Sequence, residues 1–373
     1  MSYDAILLTS FGGPEGPDEV MPYLERVTAG RGVPYERLVE VSHHYMALGG
    51  VSPINDQNRA LLAELKKRFP ERGIDLPIYW GNRNSEPFFA DVVRKMYDDG
   101  HRRVLAWVTS AYSSYSGCRQ YRENLHQALV DSDLLGKMVI DKVRHYFDHP
   151  GFIAPIAEDL SRALRMLDDN GIDVSDARIM FATHSIPNAM GESSGPPARR
   201  GEFEQPGGAY AAQHIAGAEK IIEQVEKERE SAAPPWQLVY QSRSGSPEIP
   251  WLEPDVNDAI RDAKKDGAKA VIVVPSGFVS DHVEVIWDLD NEAKETAEEE
   301  GLHFQRVATT GTHPAFVDAI ADLVLERIAD AEQKALSPLG PWPSFCAVGC
   351  CPNLRRELPT IAEVGMDTAE VVS

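Results

Sequence analysis

The chain has 373 residues, 43% of them hydrophobic and 25% charged, an ordinary globular balance that excludes wholesale disorder. Asp and Glu number 58 against 37 Lys and Arg, a net charge of −21 that argues against binding a nucleic acid backbone or an anionic membrane through bulk electrostatics. No apolar run approaches the roughly 18 residues that span a bilayer, MSYDAILLTSFGG lacks a basic stretch ahead of a long apolar one, and four cysteines are too few for a disulfide scaffold; a soluble, cytoplasmic protein is expected, without a nucleic acid partner or stable membrane insertion.

Short β-rich apolar runs alternate with longer helical patterns, the signature of a parallel-sheet α/β protein. Residues 5–9 read as the first strand, closed by the turn FGGP, and 18–27 follow with helical spacing. Strands are expected at 76–80 and 104–108, separated by a helix over 86–97 that stops before Gly100. In the second half, strands at 179–182, 238–240, 270–274 and 304–307 alternate with helices near 209–229, 255–265, 281–299 and 314–335. AILLTSFGGP matches RIMFATHSIP, IYWGNRNSEP matches LVYQSRSGSP, and DDGHRRVLAWVTSAYSSYS matches KKDGAKAVIVVPSGFVSDH, each pair on the same element in the same order.

The expected division is therefore residues 1–150 as one Rossmann-like domain and 151–335 as its duplicate, whose last helix packs back on the first domain, with 336–373 as a cysteine-containing extension. Strand ends of both halves would face a common cleft, bringing Phe11, Arg83 and Tyr115 toward His184, Arg243 and His282. Neither half has a Gly-rich phosphate loop, so nucleotide binding is not supported. Residues 187–208, rich in Gly, Pro, Ser and charge, read as a mobile loop or a lid.

Three carboxylates, Glu284, Asp288 and Glu292, recur at i, i+4, i+8 within SDHVEVIWDLDNEAKE. On a helix they form one row: either a solvated acidic face or a path for protons or a hydrated cation, whose hard oxygen ligands suit ferrous iron or magnesium. His184 ends the strand RIMFAT, where an imidazole can accept a proton near neutral pH. Aromatic residues crowd the same ends, among them Phe11, Tyr45, Tyr112, Tyr115, Tyr121, Trp251 and Trp287. Such walls suit a large planar anion, whose carboxylates Ser52, Arg31, Tyr121 and Arg122 could receive.

GGVSPI, THSIPNAM, YQSRSGSPEIPWLEPD and SGFVSDHVEVIWDLD resemble the ferrochelatases in order and spacing, over residues 3–334. The resemblance implies two Rossmann-like domains with parallel sheets flanked by helices, related by duplication, and insertion of ferrous iron into a porphyrin. His184 falls on the family's active-site histidine, Glu284 on its partner glutamate, and Asp288 and Glu292 on the acidic ladder leading away. Ser52 and Tyr121 fall on tetrapyrrole contacts. Phe11 stands where many soluble bacterial members carry Tyr, so it can pack on the macrocycle without offering an oxygen, and Tyr146 stands where some members stack a Trp. Some members hold a 2Fe-2S cluster on one N-terminal-domain and three C-terminal cysteines, a role that falls here on Cys118, Cys346, Cys350 and Cys351; zinc on four thiolates and free buried thiols are the alternatives. An acidic surface with no lip of clustered apolar residues favours coproporphyrin III over protoporphyrin IX. A cobalt or nickel chelatase, or a heme or iron carrier, are the competing readings, and the carboxylate row speaks against a carrier. A monomer is expected, with only transient contacts to neighbouring enzymes of heme synthesis.

Overall fold

The computed structural model describes residues 3–30, 32–244 and 248–363. The first half runs β1 (Ala5–Ser10), α1 (Pro17–Thr28), α2 (Tyr35–Ala47), α3 (Ile54–Glu71), β2 (Ile78–Asn82), α4 (Phe89–Asp98), β3 (Arg103–Val108), a π-helical turn at Tyr115–Arg119, α5 (Gln120–Asp131) and β4 (Val139–Lys142). Then follow α6 (Pro150–Asp169), β5 (Ala177–His184), α7 (Asn188–Glu192), α8 (Gly208–Arg229), β6 (Trp236–Gln241), α9 (Val256–Lys265) and β7 (Ala270–Val274). One continuous helical run, α10 (Val283–Val285), a π-helix (Ile286–Ala293) and α11 (Lys294–Glu299), precedes β8 (His303–Arg306) and α12 (Pro314–Ile328).

Two four-stranded parallel sheets result, ordered β2-β1-β3-β4 and β6-β5-β7-β8, the same order in each half, as expected of a duplication. Every residue of β1 and β7 is buried, which is why these central strands read as unbroken apolar runs. Ile6 pairs with Ile78 and Leu105, as Phe181 pairs with Leu238 and Val274.

Sequence and structure differ at several edges. β4 was not anticipated, because its Asp141 and Lys142 interrupt the apolar pattern although all four residues are buried. α4 begins at Phe89, later than the expected 86, because Asn82 holds the carbonyls of Glu86 and Pro87 through its side-chain and backbone N–H. α12 stops at Ile328, short of 335; beyond it the chain turns so that the Lys334 carbonyl accepts from Arg144 and its ammonium reaches Asp322. Residues 187–208 are not a bare loop: they contain α7 and a 3-10 turn at Pro197–Glu202, and the tail lies on them through Arg200 to the Gly349 carbonyl at 2.6 Å and Arg199 to that of Leu339 at 3.1 Å.

The two halves share one core. Ile6, Trp107, Tyr146 and Phe147 of the first pack in the same cluster as Phe152, Phe181, Ile272 and Phe316. α12 returns to the first half against α3, where Arg68 and Arg72 pair with Asp318 at 2.7 Å each. A second tie, Arg144 to Glu326 at 2.8 Å, is sealed from solvent on both sides.

Candidate active site

β5 delivers His184 at its last residue, opposite Gln241 of β6. The ring Nδ1–H donates to the Ser185 carbonyl, and Nε2, left to accept a proton, lies 3.7 Å from the Glu284 carboxylate. Both side chains are partly open, 36% and 44% exposed, so the pair can be approached. The His184 backbone is fixed from below: the Tyr210 hydroxyl donates to its carbonyl at 2.8 Å, Thr183 bonds that hydroxyl, and the buried His214 bonds Thr183 at 2.9 Å. Tyr210 and His214 were missed in the sequence; their i, i+4 spacing on α8 was the available signal.

Glu284 lies in α10, while Asp288 and Glu292 lie in the π-helix that follows. A π-helix closes i→i+5 hydrogen bonds and so widens the turn, which keeps residues four apart on one side. The expected row forms, on an element whose kind the spacing did not disclose. Asp288 is pushed up to about 7, chiefly by burial; the Ser242 hydroxyl lowers it, the like charges of Glu284 and Glu292 raise it further, and the Gln241 amide lowers it. Its Oδ2 accepts from both Ser242 and Gln241. Glu292, the outermost, accepts from the Trp287 indole at 2.8 Å, and that indole stacks on His44 of α2 with centroids 4.2 Å apart. The row thus runs from a half-open pair at a strand end, past a carboxyl held near neutrality, to an exposed carboxylate.

On the other wall, Phe11 is half-buried among Val20, Tyr23, Tyr45 and Val283, the last of these the first residue of the carboxylate helix. The Arg83 guanidinium lies 5.4 Å above the Phe11 ring and 3.8 Å above that of Tyr121, anchored by the Ser116 carbonyl and Gln120. Tyr121 is itself in the core beneath that guanidinium. Ser52 is buried against Gly13, where any β-carbon would collide with it at 2.5 Å. Three expectations need correction. Tyr146 is 1% exposed, stacks on Trp107 and donates to the Val108 carbonyl, so it supports the shared core and offers no face to a macrocycle. Arg122 is also sealed, bound to the Ile361 carbonyl and Thr360, and Tyr115 turns to Glu123 and Asn353 of the tail. Tyr35, Met46, Leu48 and Val51, on α2 and the loop after it, are exposed. Arg31 lies outside the described residues.

The four cysteines converge in one buried cluster. Cys118 sits in the π-helical turn ahead of α5, 3.8 Å from Cys346 between sulfurs, and Cys350 and Cys351 are equally spaced. Cys351 accepts from the Gly195 amide at 3.2 Å, so the tail is joined to both halves at this point. Two thiolates on one tetrahedral metal at about 2.3 Å lie about 3.8 Å apart, the separation of the Cys118–Cys346 and Cys350–Cys351 sulfurs. No helix among the described residues is long and apolar enough to cross a membrane.

The family model described as Ferrochelatase matches residues 3–328. The chain is 53% identical to the coproporphyrin III ferrochelatase of Streptomyces coelicolor, over 98% of this chain and 97% of that one. It is 52% identical to the coproporphyrin III ferrochelatase of Leifsonia xyli subsp. xyli, over 95% and 92% respectively. Among solved structures, SirB from Bacillus subtilis with Fe3+ aligns with a TM-score of 0.49 at 12% identity, covering 88% of this chain and 97% of that one.

Proposed function

The chain belongs to the ferrochelatase family, and from that premise we propose that it inserts ferrous iron into coproporphyrin III, two pyrrole protons leaving as the metal enters. The observation that carries the reaction is the His184–Glu284 pair at the head of a carboxylate row. Nε2 of His184, its tautomer set by the bond from Nδ1 to Ser185, takes a pyrrole proton, and Glu284 steadies the imidazolium that forms. Oxygen ligands completed by water hold ferrous iron loosely enough to pass it on, so Glu292 receives the hydrated ion and Asp288 relays it inward. With a carboxyl near neutrality midway, proton and cation can exchange places there without stranding a charge in a buried position. Phe11 and the Arg83 guanidinium form the wall against which an anionic macrocycle lies, and Ser52 and Tyr121 support that wall from behind.

The choice of coproporphyrin III rests on the relatives named for it. Anaerobic incubation with ferrous iron and each porphyrin tests both points. Metalloporphyrin absorbance with coproporphyrin III is expected; turnover of protoporphyrin IX alone would reassign the substrate, and none with either would remove the activity.

Cys118, Cys346, Cys350 and Cys351 are proposed to hold a 2Fe-2S cluster, supported by their burial together in one cluster that joins the tail to the first half. When bound, the cluster supplies metal–thiolate bonds that cross-link the tail to the first half, together with a one-electron couple. The cysteines stand apart from the carboxylate row and take no part in proton removal. Equimolar iron and acid-labile sulfide are expected, and stoichiometric zinc without sulfide would replace the cluster by the runner-up. A cytoplasmic monomer completes the proposal, checked by fractionation and by sedimentation.

A further inference from the structure

β4 ends on Lys142, an ammonium only 3% exposed whose one hydrogen bond is to the Val143 carbonyl at 3.1 Å. A charge taken out of water is costly unless another charge faces it, and among the described residues no carboxylate pairs with this one. Its cationic neighbours already have theirs: Arg119 pairs with Glu123 at 3.0 Å, and Arg122 lies 3.4 Å from Glu363. Sulfur shares the surroundings of Lys142. A small cavity is lined by both Lys142 and Cys118, together with Ser110, Gly117 and His145.

Charge counting shows why a cation belongs here. Four thiolates around two ferric ions and two sulfides sum to a dianion, and four thiolates around one zinc ion sum to the same. Arg122, shared with Glu363, offsets only part of it. We propose that Lys142 is the fixed counter-ion of this site, holding the four cysteines as metal-bound thiolates in a region sealed from water. The inference rests on the reading of the cysteines as a metal site, whichever of the two metals fills it. It also gives β4 a task beyond its place in the sheet, since the strand carries the charge to the sulfurs.

The test compares the purified, metal-loaded protein with Lys142→Met, which keeps the length and removes the charge, and Lys142→Arg, which restores a charge. The rate of metal release to a chelator is followed in all three, together with the reduction potential of the visible chromophore if iron and sulfide are found. Lys142→Met should release metal about 10- to 100-fold more readily, the usual cost of losing a partner around a metal site, and its potential should move to a lower value, with Lys142→Arg returning toward the parent. Should Lys142→Met fail to fold by circular dichroism, Lys142→Gln takes its place. Equal release and equal potential in parent and variant would overturn the counter-ion. A parent chain free of metal, with four thiols open to alkylation once unfolded, would instead remove the metal site itself and the proposal with it.

Discussion

Replacing Asp288 by Asn removes the one carboxyl of the row that the fold holds near neutrality. Its value rises from 3.8 to about 7 on folding, so the folded state disfavours the charged form and ionisation costs stability. The sign follows from proton linkage: below the unfolded value there is no penalty, it grows as pH rises between the two values, and above the folded value it is complete. At about 1.4 kcal/mol per pH unit, the penalty is about 2 kcal/mol at pH 5 and about 4 kcal/mol at pH 8. Asparagine keeps an oxygen to accept from Ser242 and Gln241 and carries no charge to desolvate. The variant should therefore gain about 2 to 3 kcal/mol on the parent between those two conditions. Urea unfolding of both proteins, metal-free, at the two pH values measures this difference. A stability gap between parent and Asp288→Asn that does not change with pH would refute the reasoning, since a packing effect has no such dependence.

Other expectations follow from the same geometry. His184→Ala should abolish metal insertion with little change in thermal midpoint, because the imidazole is half-open and contributes little packing; turnover near the parent rate would remove it from the chemistry. Glu284→Gln should lower kcat strongly while Glu292→Gln raises KM for iron, and equal effects at both would contradict a graded row. Glu326→Ala should destabilise by about 3 to 5 kcal/mol by stranding the sealed Arg144 charge, and a loss below about 1 kcal/mol in chemical unfolding would mean the pair is not sealed. Tyr146→Phe should cost about 1 kcal/mol, one buried hydrogen bond, and leave KM for porphyrin unchanged. A large rise in that KM would return Tyr146 to the cleft.

Much of the fold could be read along the chain because central parallel strands are apolar throughout and the halves repeat the same order. β4 could not, since a charged residue is tolerated in a buried strand only where a distant partner waits: Tyr3 and Arg327 for Asp141. The positions of His184, Glu284 and the row were legible because a strand end and an i, i+4, i+8 spacing fix them. The frame under His184 was not, because Thr183, Tyr210 and His214 meet only after β5 and α8 have packed. Tyr146 was misplaced for the opposite reason: an aromatic residue after a strand looks the same whether it faces a ligand or Trp107, and only the arrival of Phe316 decides.

That arrival has a timetable. Trp107 and Tyr146 leave the ribosome about 200 residues ahead of Phe316, and α12 is the last helix made among the described residues, so at roughly 5 to 20 residues per second the first half waits on the order of 10 to 40 seconds for its cover. During that interval the face that Phe316 covers stays open on the nascent chain. A ribosome stalled between β8 and α12 would therefore hold a sticky, half-built protein, and the burden on holdase chaperones should peak at that point of synthesis and fall once residue 328 has emerged.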